Sequence, residues 1–124
     1  MRVHKNHIKS DGILLIAFRN HSDPANPSAR SGMSTDWQKY STAEECRQWA
    51  KDMGKDPNRY EVIQLNVGRV REIPGQSVEH TPIYKPHSAP PILNRAHTDV
   101  FGEKDEEARL TLLQISEPAI PFST

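Results

Sequence analysis

The chain has one cysteine, Cys46, among 124 residues, no surplus of either charge, and no long apolar run. A single thiol excludes an intrachain disulfide and any zinc site built from paired cysteines. Sixteen basic and sixteen acidic residues give a formal net charge of zero. A general nucleic-acid coat needs excess Lys and Arg to displace counterions, so nucleic acid is not the favoured partner. The longest apolar stretch, Ile13 to Phe18, is far below the roughly 18 residues that cross a bilayer. Met1 to His7 carries charge with no apolar block behind it, so no signal peptide is read there. A cytoplasmic location is the default, with no membrane partner. No Gly-rich phosphate loop, no G-x-S-x-G and no carboxylate cluster for two-metal chemistry is present, and no cofactor or metal is expected.

Hydrophobic material is also scarce. Leu, Ile, Val and Phe together supply 25 residues, close to the level at which chains stay disordered. The balanced charge and the 2 Trp, 3 Tyr and 3 Phe argue for one folded domain with a thin core. Its charge is uneven: residues 1–31 are mainly basic and 103–117 mainly acidic.

Local signals order the elements. Asp11-Gly12 followed by Ile13 to Phe18 reads as a strand buried on both faces. Residues 20–32, with two prolines and no periodicity, read as a surface loop. Ser41-Thr42-Ala43-Glu44-Glu45-Cys46 offers two overlapping capping boxes, Ser41 with Glu44 and Thr42 with Glu45. Ala43, Cys46, Trp49, Ala50 and Met53 then form the inward stripe of an amphipathic helix that Gly54 ends. Cys46 on that stripe is a core residue rather than a nucleophile. Trp37 precedes the helix and reads as a staple to the core rather than a surface for a base.

Residues 60–67 read as a strand, 68–73 as one helical turn closed by Pro74-Gly75, and 77–83 as a second strand. Pro82, Pro86, Pro90 and Pro91 impose an extended, hydrogen-bond-poor connection over 82–93. Residues 105–115 read as a helix with acids in its first turn. The class is α+β: a small mixed sheet of three to four strands, one of them early in residues 3–8, with two helices packed on one face. The single domain covers 1–117, and 118–124 trails as an extended tail.

Six histidines fall into two groups. His4, His7 and His21 lie near the start; His4 and His7 read as a bland surface pair. His80, His87 and His97 lie in the second half. His97 sits in Asn94-Arg95-Ala96-His97-Thr98-Asp99, the densest run of reactive side chains, read as a polar loop over 94–102. In the catalytic reading, His80, His97, Arg95 and Asp99 converge, with Arg19 nearby. Two imidazoles would act as base and acid beside a guanidinium clamp, enough for metal-independent RNA cleavage. In the packing reading, His97 and Asp99 bond backbone groups and hold an irregular loop. The first expectation for function is a small binding or regulatory module, meeting a protein partner on the Pro-rich arm 82–93 or the loop 94–102. The alternative is a histidine-dependent nuclease of RNase or toxin type.

The blocks Gly32-Met33-Ser34-Thr35-Asp36-Trp37-Gln38-Lys39-Tyr40-Ser41-Thr42-Ala43-Glu44-Glu45, Val78-Glu79-His80-Thr81-Pro82 and Asn94 through Gly102 resemble a group of small uncharacterised bacterial proteins. The resemblance spans roughly residues 32–113 in scattered blocks. It implies a bacterial or phage source and attaches no fold or activity.

Overall fold

The computed structural model describes residues 1–9, 12–22, 28–89 and 91–120, without the side chains of Asp52, Met53 and Ile120. The fold is α+β, but the single mixed sheet is replaced by separate antiparallel ones. One three-stranded sheet has β1 (Arg2–His4), β5 (Tyr60–Gln64) and β10 (Glu117–Ile120) in the order β1-β5-β10. A second has β4 (Gly32–Asp36), β9 (His97–Phe101) and β6 (Ser77–His80) in the order β4-β9-β6. Two short ribbons complete the set among the described residues, β2 (Ile8–Lys9) with β3 (Gly12–Ile13) and β7 (Ile83–Lys85) with β8 (Ile92–Asn94). Every pairing among the described strands is antiparallel.

Four further expectations are corrected. Ile13 to Phe18 is not a buried strand: Leu15–Ala17 winds into a 3-10 turn. That turn buries Ala17 and Phe18 and leaves Leu14 and Ile16 outside, as a winding backbone must when consecutive apolar residues meet a core on one side only. The 82–93 connection is less poor in hydrogen bonds than expected, since Ile83, Tyr84 and Lys85 pair with Asn94, Leu93 and Ile92. The 94–102 segment is not a loop; most of it is β9, the central strand of its sheet. The tail is extended at its start, but 118–120 pair with β5 and join the sheet. Asp11, residues 23–27, Pro90 and 121–124 lie outside the described residues, as does the Met53 side chain.

The helices follow their caps. α1 (Ala43–Gln48) uses the Thr42–Glu45 box, each residue's side chain accepting the other's backbone N–H at 3.1 Å. After two turns the chain tightens to 3-10 over Trp49–Met53 and stops at Gly54, whose φ of +71° is left-handed. In α2 (Val67–Arg71) the Asn66 side chain accepts from Arg69 N–H at 3.1 Å. In α3 (Glu106–Ile115) Asp105 accepts from Ala108 N–H at 2.8 Å. Val3, Phe18, Met33, Ile63, Val70 and Leu112 are the largest fully buried side chains among the described residues. They join both three-stranded sheets, α2 and α3 into one core. Among the described residues no helix is long and apolar enough to cross a membrane.

Candidate functional site

Strand register decides which expected site residues meet. His80 pairs with Thr98 across β6 and β9, whereas Asp36 of β4 pairs with His97. Successive side chains of a strand point to opposite faces, so the two imidazoles project from opposite sides of one sheet. The shared His80–His97 hollow is therefore not formed. Arg95 goes with His80, and Asp99 goes with His97.

On the outer face the His97 ring is fully engaged. Its Nδ1 lies 2.9 Å from the Thr81 carbonyl oxygen and its Nε2 lies 2.8 Å from Ser34 Oγ. A carbonyl only accepts, which places the ring proton on Nδ1 and makes Nε2 the acceptor of the Ser34 hydroxyl. Thr81 Oγ1 donates to Asp99 Oδ2 at 2.9 Å, and Asp99 stands 3.9 Å from the ring. Farther along this face Arg30 lies 3.8 Å over the Phe101 ring and pairs with Glu79 at 2.9 Å. A hydroxyl donating to an imidazole has the form of an activated nucleophile. Neither Ser34 nor His97 lines the cleft described below, so the arrangement is a clasp across β4, β9 and β6. The packing reading of His97 and Asp99 describes it, on a sheet instead of a loop.

His21, whose N–H donates to the Gly32 carbonyl at 2.9 Å, lies at the edge of this sheet. Burial lowers its pKa, and the Arg19 and Lys55 charges lower it further, against a smaller opposing effect of Asp99.

The inner face opens into a cleft of about 550 Å³ between the two three-stranded sheets. Val62, Ile63, Val70, Val78 and Val100 line it, with Trp37 and His80 also in its wall. Trp37 is 38% exposed and not a staple buried in the core. Its ring meets Tyr40 at 5.3 Å and His80 at 5.2 Å, both edge-on, while Tyr40 and His80 stack at 5.7 Å. The Arg95 guanidinium lies 4.7 Å over Tyr40, and the Lys39 ammonium 5.3 Å over Trp37.

Backbone bonds fix this corner. His80 Nε2–H donates to the Arg95 carbonyl at 2.6 Å and Trp37 N–H to the Ala96 carbonyl at 2.7 Å. Asn94 donates to Asp36 at 2.9 Å and accepts from Ala96 N–H at 3.0 Å, pinning the turn before β9. Sequence reasoning named His80 and Arg95 but missed Trp37, Lys39 and Tyr40 as their partners. Two aromatics three residues apart with a lysine between them were the available signal.

Cys46 lines the cleft yet is buried, and burial pushes its thiol up to about 11, so it stays protonated at neutral pH. His4 Nδ1 accepts Asn6 N–H at 3.1 Å in a 3-10 turn over Lys5–His7. Its ring meets His7 edge-on at 6.4 Å. Among the described residues no three His, Cys, Asp or Glu side chains are grouped to hold a metal ion. Comparison with protein-family models, curated proteins and solved structures finds no match to this chain.

Proposed function

We propose that the chain is a small binding module whose guest enters the cleft between the two three-stranded sheets. One observation carries this reading: a cavity of about 550 Å³ whose apolar floor adjoins the Trp37 and His80 rings, with Lys39 over Trp37 beside it. That volume lies within the range of pockets that enclose small molecules. Valines and Ile63 would favour the burial of an apolar ring by roughly 25 cal/mol per Å². The mouth would set its orientation.

A protein partner on the 82–93 arm has separate support. Tyr84 and Leu93 are directly paired across the β7–β8 ribbon and are 78% and 49% exposed. Strand β9 offers such a partner less, since both its edges are already paired. Nuclease action by His80 with His97 draws no support from a geometry that puts a sheet between them.

The test is amide and indole NMR of the full chain titrated with small planar compounds, some bearing anionic groups. Shifts are expected at the Trp37 indole, residues 62–70 and residues 78–80. Val78→Phe, which fills the cleft, should abolish them. Compounds that move no resonance at millimolar concentration, or only scattered surface ones, would remove the reading.

A further inference from the structure

We infer that the guest of this cleft is a nucleobase carrying a phosphate, its ring against Trp37 and His80 and its phosphate held by Lys39 and Arg95. The inference rests on the cleft-binding reading above and names the class of ligand.

Trp37 and His80 line the cleft, and Lys39 and Arg95 lie over the adjoining Trp37 and Tyr40 rings. The segments that carry them, 37–42 and 80–98, contain no carboxylate. Lys39 and Arg95 lie on ring faces and have no ion-pair partner among the described residues. The nearest acid in sequence, Asp36, also lines the cleft, where its carboxylate accepts from the Asn94 amide at 2.9 Å. Two cations standing over aromatic rings form a local anion site on a chain with no net charge. Exposed rings next to such cations are the combination that holds single-stranded nucleic acid. Each base gains stacking energy on a ring face, and each phosphate gains from a cation. Trp37, with 38% of its surface exposed, supplies the accessible ring.

The cleft wall carries the third requirement. Gln38, Gln64 and Asn66 bring amides to it, groups that both donate and accept, as the edges of bases require. Gln64 also donates to Glu117 at 3.2 Å, and Asn66 Oδ1 accepts from Arg69 N–H at 3.1 Å. A purely aliphatic guest would leave the rings and cations unused. An acidic peptide would engage Lys39 and Arg95 and leave the aromatic corner idle. The same chemistry serves a free nucleotide and a nucleotide within a strand.

The experiment titrates the full chain with fluorescently labelled octauridylate, read by anisotropy between 50 and 200 mM salt, and with UMP, read by calorimetry. Octauridylate is expected to bind with a Kd on the order of 10⁻⁴ to 10⁻⁶ M. Trp37→Ala should weaken it about 5- to 150-fold, the equivalent of about 1–3 kcal/mol for one stacked base. Trp37→Phe should restore most of that loss. Lys39→Gln with Arg95→Gln should reduce the slope of log affinity against log salt by about 1.4, or about 0.7 per phosphate contact in a single strand. Octamer binding with these responses supports a strand, and binding of UMP alone, weakened by the same variants, supports a free nucleotide. Unchanged affinity in Trp37→Ala, or an unchanged salt slope in the double variant, overturns the inference. If neither probe binds while planar compounds still shift the cleft resonances, the nucleotide assignment falls and the binding module stands. If those compounds fail as well, both fall.

Discussion

Gly32 packs against Asp99 so closely that a β-carbon on the glycine would lie 2.9 Å from both Cβ and Oδ1 of the aspartate. The contact is across neighbouring strands, β4 and β9, and Asp99 is the residue that receives the Thr81 hydroxyl. Gly32→Ala should therefore displace Asp99 and loosen the clasp around His97. Overpacking of this kind costs about 1–3 kcal/mol, measurable by urea denaturation. Asp99→Ala removes two of the three atoms in the way. The double variant should thus lose less than the sum of the single losses. Strict additivity would show that the close approach carries no strain.

The two imidazoles should separate in stability as they do in space. His97→Ala removes a ring bonded at both nitrogens and leaves Ser34 and Thr81 without that partner. A loss of about 1–3 kcal/mol is expected. His80 is exposed and makes one backbone hydrogen bond, so His80→Ala should cost about 0.5–1.5 kcal/mol while weakening binding at the cleft mouth. Equal losses from the two variants would contradict the different roles argued for them.

The helices were legible because caps and breakers are local. Thr42 with Glu45, Asp105 before its acidic turn, and Pro74-Gly75 each act within a few residues. Strands β4 and β9 were obscured by their outer face, where Ser34, His97 and Asp99 look like loop chemistry. The inward alternation of Met33 with Thr35 and of Thr98 with Val100 was present but short. The proline-rich stretch hid a ribbon because its pairing joins residues up to eleven apart, Ile83 with Asn94. The site depended on register most of all. Naming His80, His97, Arg95 and Asp99 required only side-chain chemistry. Grouping them required knowing that 97–101 is a strand, since one step along it reverses the face.

Alkaline stability should be set by two buried groups acting in opposite directions. Lys104 donates to the Val100 and Gly102 carbonyls at 3.0 and 2.7 Å, which favours its charged form, yet burial pushes it down from 10.5 to about 8. Between those values the unfolded chain holds a proton that the folded chain has lost, so stability rises with pH. Cys46 is pushed up by burial from 9.0 to about 11. Between those values the folded chain holds the extra proton, and stability falls with pH. The urea midpoint should thus rise from pH 8 to 9 and flatten above 9. Cys46→Ala should extend the rise toward pH 10.5, and Lys104→Met should remove it. A wild-type midpoint that falls between pH 8 and 9 would refute the assignment to Lys104.

The choice between overlapping capping boxes offers a test that reaches the cleft. Only Thr42 with Glu45 closes reciprocally, while the Ser41 hydroxyl donates to the Thr42 carbonyl at 3.2 Å. Thr42→Ala should cost about 0.5–2 kcal/mol, and Thr42→Ser should recover most of it. Ser41→Ala should leave the α1 amides as protected as before. Because Thr42, Ala43 and Cys46 line the cleft, fraying of the first turn of α1 also releases one wall of the guest's site. Hydrogen exchange of Glu45 and Cys46 should therefore accelerate in Thr42→Ala together with a loss of ligand affinity. Faster exchange in Ser41→Ala, with none in Thr42→Ala, would assign the start of the helix to the other box.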